Sequence, residues 1–255
     1  MLRLLVSVRD AAEAAIASAA GADIIDAKDP ARGALAPVSR RCLQTIVSAV
    51  GREVHVPVSA ALGDVVGAAE AARALDRVAR IDLAFVKVGF GGLGEERGPA
   101  VRRVVDALTA ARRAAESQSS PAVPGIVAVA YADAADVGAP SPWDILTAAG
   151  LAGVYGILLD TASKDGGSLA TLWPHEELAR WVSQARERGL QTALAGRLGL
   201  GDVRMVHEVG ADIVGVRGAA CRGGRTGVIS AELTARLVRR VRSPSEAGAE
   251  QLLKL

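Results

Sequence analysis

Lysine is scarce in this 255-residue chain: of its 30 basic residues only Lys28, Lys87, Lys164 and Lys254 are lysine, and arginine holds the rest. A guanidinium stays protonated at every physiological pH, whereas an amine loses its proton when it is desolvated or crowded by like charge. A neutral amine attacks aldehydes and ketones to form a Schiff base. The positions that keep lysine are therefore the first to examine for chemistry. Asp26 and Lys28 stand two residues apart in Asp-Ile-Ile-Asp-Ala-Lys-Asp-Pro (23–30), Lys87 lies in Phe-Val-Lys-Val-Gly (85–89), and Asp160 and Lys164 share Leu-Asp-Thr-Ala-Ser-Lys-Asp-Gly (159–166). On a strand, a spacing of two puts Asp26 and Lys28 on one face, and a charged pair on an apolar strand makes sense only near an open end. Taken singly, each of these residues can also be read as one half of a structural ion pair tying loops together. As a set, converging amines and carboxylates lower each amine's pKa, and a second lysine or a carboxylate can then move protons.

These residues need a scaffold that brings distant segments to one place. Strand-like apolar runs occur at Leu2–Val8, Asp23–Lys28, Val54–Ala60, Phe85–Gly89, Gly125–Tyr131, Tyr155–Thr161, Gln191–Gly196 and Asp212–Arg217. Between them, Ala11–Ala20, Val38–Val50, Ala100–Ala115, His175–Arg188 and Glu232–Arg242 carry helical spacing of apolar and charged residues. Eight βα units at roughly 30 residues each predict a (β/α)₈ barrel, an α/β fold of one domain over residues 1–243. The Gly-Ala-Asp-Ile element at 21–24 and again at 210–213 supports repetition, although eight strands alone also fit an open doubly wound sheet. Ser117–Pro124 reads as a surface loop and residues 244–255 as a frayed tail.

A (β/α)₈ barrel places its active site at the C-terminal ends of the strands, where Lys28, Lys87, Asp160, Tyr131 and Asp133 fall and which Lys164 follows closely. The ends of strands seven and eight are glycine-rich: Leu-Ala-Gly-Arg (194–197) and Gly-Val-Arg-Gly-Ala-Ala-Cys-Arg-Gly-Gly (215–224). Barrels commonly hold phosphate there, on backbone N–H groups that glycine allows a ligand to approach. Gly196, Arg217, Gly218, Ala219 and Ala220 form the expected phosphate site, with Arg222 and Arg225 as further charge-assisted donors. Tight turns are the plainer reading of the same glycines. Ser7, Ser59 and Asp64 are candidates to line the mouth or to cap loops. His55, His175 and His207 lack metal-ligand spacing, and Cys221 has no histidine partner nearby in sequence.

Composition excludes several classes of function. Net charge is +2 with both signs spread along the chain, so no basic block exists to track a nucleic acid. Half the residues are apolar, but no run approaches the ~20 residues of a membrane-spanning helix. Only 3% are aromatic, so the core must be built from Ala, Val, Leu and Ile, which suits buried parallel strands. Two cysteines imply no disulfide framework, and the first ten residues read as a strand with a polar stop rather than a signal peptide. The expected setting is the cytoplasm, with no metal or organic cofactor. An Ala- and Val-rich exterior is compatible with a homo-oligomer.

Together with Lys-Val-Gly (87–89), Tyr-Ala-Asp-Ala (131–134), Ala-Leu-Ala-Gly (193–196) and Asp-Ile-Val-Gly-Val-Arg-Gly-Ala-Ala-Cys (212–221), the lysine segments resemble the (5-formylfuran-3-yl)methyl phosphate synthase family in the same order along nearly the whole chain. The resemblance implies a barrel that condenses two molecules of glyceraldehyde 3-phosphate into a phosphorylated furan aldehyde, with loss of phosphate and water. Such a product feeds a methanofuran-type one-carbon carrier, and the Arg- and Ala-rich composition points to a bacterial setting. By the family pattern Lys28 is the Schiff-base lysine and Lys87 the proton acceptor, supported by Asp26, Asp160 and Lys164. One departure is the stretch after Gly63-Asp64, which is shorter than in archaeal members and has no lysine. The competing readings are another Schiff-base aldolase or phosphosugar isomerase on the same barrel, and a non-catalytic barrel that binds a phosphorylated metabolite.

Overall fold

The computed structural model describes residues 1–50, 56–94, 97–117, 123–163 and 166–243. Eight parallel strands, β1 (Arg3–Val8), β2 (Ile24–Ala27), β3 (Val58–Asp64), β4 (Phe85–Gly89), β5 (Gly125–Tyr131), β6 (Gly156–Asp160), β7 (Gln191–Leu194) and β8 (Ile213–Val216), pair in sequence order. The ring closes where β8 pairs with β1 at Arg3↔Ile213. Closure excludes the open sheet that the strand count had left as an alternative. The helices are α1 (Ala11–Ala19), α2 (Arg40–Val50), α3 (Ala68–Asp76), α4 (Arg97–Ser117), α5 (Pro142–Ala152), α6 (Leu169–Leu172), α7 (His175–Glu187), α8 (Val203–Glu208) and α9 (Ala231–Arg242). Between β8 and α9 a small hairpin, β9 (Cys221–Arg222) and β10 (Val228–Ile229), stands over the mouth. None of the described helices is long and apolar enough to cross a membrane.

Local signals explain where the helices begin and end. Asp10 caps α1 by accepting from the N–H of Glu13, Ser141 caps α5 ahead of Pro142, and Ser230 accepts from Leu233 at the start of α9. Gly153 closes α5 in the left-handed conformation that an L side chain avoids. The expected third strand, Val54–Ala60, is displaced: β3 starts at Val58 and runs to Asp64, and residues 51–55 lie outside the described part. Val-Ser-Ala-Ala-Leu-Gly-Asp has small residues on its inner face, so apolar content alone does not mark its C-terminal end. The tail expected at 244–255 likewise lies outside the described residues.

Two apolar cores result. One fills the space between strands and helices, where Val6, Val86, Ile157, Leu159, Val214 and the indole of Trp181 are fully buried. The other occupies the inside of the ring and contains Ile24, Val129, Leu158, Ala193 and Ile213, with Leu5 and Phe85 packed against it. Moving two residues along a strand keeps a side chain on the same face. Inside the ring this step changes chemistry, from Leu5 to Ser7, Ile24 to Asp26, Phe85 to Lys87 and Leu158 to Asp160. The barrel thus has an apolar floor and a polar upper layer.

Glycine at the end of β4 is required by what crosses above it. A Cβ at Gly89 would press on the Asp64 carboxylate, 2.6 Å from Leu35 Cδ1 and 2.8 Å from the Tyr131 hydroxyl, which itself donates to Asp64 at 2.8 Å. Gly89→Ala should therefore destabilise the fold by about 1–3 kcal/mol through overpacking. Urea unfolding tests this, and an unchanged midpoint would count against the crowding described.

Candidate active site

Asp26 stands at the centre of the upper layer. Strand register aligns Ser7, Asp26 and Ser59 across β1, β2 and β3. Both hydroxyls donate to the carboxylate, Ser7 Oγ to Oδ2 at 3.0 Å and Ser59 Oγ to Oδ1 at 2.7 Å. Lys87 reaches past β3 and places Nζ 2.5 Å from Oδ2. Asp26 is fully buried. Burial by itself would raise its pKa, but the charges of Lys87 and Lys28 and the hydrogen bonds from Lys87 and Ser59 outweigh that, and the pKa ends below the ordinary 3.8.

Lys28 follows β2 directly, with its backbone N–H on the Val8 carbonyl, and is only 9% exposed. Its Nζ has no hydrogen-bond or ion-pair partner among the described residues. Its pKa is lowered from 10.5, first by burial; the Lys87 and Arg225 charges push the same way, and Asp160 and Asp26 push back. One buried amine is thus ion-paired while its neighbour is biased toward the neutral form. Both line a cavity of about 400 Å³, which Asp160, Ser7 and Ser59 also face, within the range of about 300–1,000 Å³ usual for small-ligand sites.

The other expected residues divide. Gly196, Gly218 and Ala219 line the cavity, but Ala220 is buried in the outer core. Arg217 is corrected as a side-chain phosphate ligand. Nε donates to the Arg225 carbonyl at 2.7 Å, Nη1 to the Ser7 carbonyl at 2.9 Å and to Glu13 at 2.8 Å, and Nη2 to Glu13 at 3.2 Å and to the Gly227 carbonyl at 3.1 Å. All five donors of a guanidinium are spent. Arg222 is also redirected: it is exposed and pairs with Glu232 on α9 at 3.0 Å. Ser7 and Ser59 face the cavity, whereas Asp64 caps a loop by accepting from Gly91 N–H and Tyr131. Lys164 lies outside the described residues. Asp133 fastens the loop leading to it, accepting from the N–H groups of Ala162 and Ser163 at 2.8 and 2.7 Å.

The structural task of Glu13 is absent from the sequence reading. It follows Asp10 at the start of α1 and accepts from the Arg9 N–H, so the local pattern resembles helix capping. Its isolation among the alanines of α1 is the signal that could have pointed to a buried partner. In the cavity wall, Gly196 and Arg197 are consecutive positive-φ residues, at 104° and 57°. Arg197 also donates to the Gly166 carbonyl, drawing the loops after β6 and β7 together.

A buried amine without a partner among the described residues stands beside an ion-paired one, under glycine-rich loops in a closed barrel, the kind of lined cavity that enzymes of this fold use. Comparison with known proteins narrows this class. A family model described as 4-HFC-P synthase matches residues 4–238, and the chain belongs to that family. It is 38% identical over 224 residues to the (5-formylfuran-3-yl)methyl phosphate synthase of Methanothermobacter thermautotrophicus, covering 87% of this chain and 90% of that protein. The enzyme of the same description from Methanocaldococcus jannaschii is 37% identical over 239 residues, covering 92% and 97%. N-(5'-phosphoribosyl)anthranilate isomerase from Pyrococcus furiosus shares the fold, with a TM-score of 0.59 at 13% identity and coverage of 95% and 100%.

Two measurements follow from this geometry. The pH midpoint for reaction of the Lys28 amine with a small aldehyde should lie below 10.5. Asp160→Asn should lower it further, because the Asp160 charge holds the pKa up. An upward shift would contradict the arrangement. Glu13→Gln leaves a buried guanidinium without its counter-charge, so stability in urea should fall by about 3–5 kcal/mol.

Proposed function

We propose that this protein is a (5-formylfuran-3-yl)methyl phosphate synthase, joining two molecules of glyceraldehyde 3-phosphate through a Schiff base on Lys28. The observation that carries the reading is the nearly buried Lys28 amine, without a partner among the described residues, beside the Lys87–Asp26 ion pair. Membership of a family whose relatives bear that name supports a phosphorylated small molecule as substrate.

In this reading Lys28 adds to the carbonyl of one triose phosphate and gives a carbinolamine. Expelling its hydroxyl as water requires a proton, and the Lys87 ammonium supplies it. Having given up that proton, Lys87 is the neutral base that removes the C–H beside the iminium, in keeping with its role in the family pattern. Asp26 stays in contact with Lys87 and holds its amine in place. The enamine then attacks the second aldehyde. Elimination of phosphate, ring closure and dehydration lead to the furan, with Asp160 and Lys164 as further groups for proton movement. Backbone N–H groups near Gly196, Gly218 and Ala219 are the proposed receptors for a phosphate. The product fits synthesis of a methanofuran-type carrier, and the free thiols of Cys42 and Cys221 suit a cytoplasmic setting.

Incubation with glyceraldehyde 3-phosphate should yield furan absorbance and free phosphate together, and borohydride should fix a substrate adduct on Lys28. Lys28→Arg keeps the charge and should remove both activity and adduct. Lys87→Met should retain binding but lower kcat by about 10²–10⁴-fold, the usual worth of a positioned acid–base group. Full activity in Lys28→Arg would exclude the amine route.

A further inference from the structure

Arg225 and Arg217 lie in the same loop but are used in opposite ways. Arg217 has every donor occupied by Glu13 and by backbone carbonyls. Arg225 makes one hydrogen bond among the described residues, from Nη2 to the Gly33 carbonyl at 2.7 Å. A guanidinium has five N–H donors, so the remaining four are unspent. The backbone of Arg225 lies beside Gly218, where a Cβ would come within 3.6 Å of its nitrogen. Its side chain reaches the loop after β2 at the Gly33 carbonyl. The guanidinium lines the same cavity as Lys28.

The surroundings do not explain a cation there. Arg225 is half-buried, and burial lowers its pKa from the ordinary guanidinium value, with Asp160 favouring its charge and Arg217 and Arg197 opposing it. It also disfavours protonation of Lys28. A charge held partly out of water, next to other cations and with a planar set of donors open to a cavity, suits a dianion that accepts several hydrogen bonds at once. Each triose in the proposed reaction carries such a group.

We infer that Arg225 is a specificity-determining residue whose guanidinium receives the phosphate of the triose that condenses with Lys28. This rests on the Schiff-base reading of Lys28. Arg217 acts through it as a positioning residue, since it fixes the Arg225 carbonyl and, through Glu13, anchors that carbonyl to α1.

The test is borohydride trapping on Lys28 with glyceraldehyde 3-phosphate and, separately, with unphosphorylated glyceraldehyde, in the wild type, Arg225→Gln and Arg225→Lys. Glutamine removes the charge but is too short to keep the Gly33 contact, so Arg225→Lys, which keeps both charge and reach, separates the two losses. The ratio of the two half-saturation concentrations measures preference for the phosphate. It should fall by about 10- to 100-fold in Arg225→Gln, the scale of a lost hydrogen bond to a charged group, and recover in part in Arg225→Lys. A ratio within about twofold of the wild type in Arg225→Gln would overturn the assignment. Absence of any adduct in the wild type would instead refute the reading of Lys28.

Discussion

A carboxylate with no access to water governs the upper half of this barrel. Asp26 cannot carry its charge there without donors, and the fold supplies three side chains from three different strands: Ser7, Ser59 and Lys87. Meeting that need fixes Lys87 in place and occupies its amine. Lys28, two residues further along the chain and just past the end of β2, remains beside the pair without a partner among the described residues. Differentiating two otherwise identical amines is thus a by-product of satisfying one acid, and the proposed nucleophile and proton carrier rest on that difference.

The apolar floor gives this arrangement its strength. Below Asp26 and Lys87 the interior is Leu5, Ile24, Phe85 and Leu158, which cannot screen charge. The polar layer therefore works against a low-dielectric base, where ion pairing and repulsion between amines matter more than at a surface. Above it the loops are held by side chains whose polar groups are spent on the protein: Arg217 with Glu13, Asp133 with the backbone at 162–163, and Tyr131 with Asp64. Binding groups and the groups that aim them are separate sets of residues.

Much of the fold could be read in advance because barrel strands announce themselves: buried on both faces, they form apolar runs with charges only at the open end. Lys28, Lys87, Asp26 and Asp160 were legible for that reason, and scarcity singled out the lysines. The boundaries of β3 were not, since its inward residues are serine and alanine. Arginine was the harder case. Arg217, Arg222 and Arg225 look equivalent in a glycine-rich segment, yet one is consumed by a buried acid, one pairs at the surface and one faces the cavity. The partner that separates them, Glu13, lies 204 residues away from Arg217, and no local pattern carries that information.

That separation bears on how the protein is made. Glu13 and Ser7 belong to the first βα unit and Arg217 to the last, and β1 has no second neighbour until β8 arrives. Contacts this distant in sequence form late, because most of the chain must be brought together before they can pay back the loop closure. A polypeptide still emerging from the ribosome would carry Lys28 and Lys87 well before the ring around them had closed. The seam between first and last strands thus delays completion of the cavity until synthesis of the barrel is essentially finished.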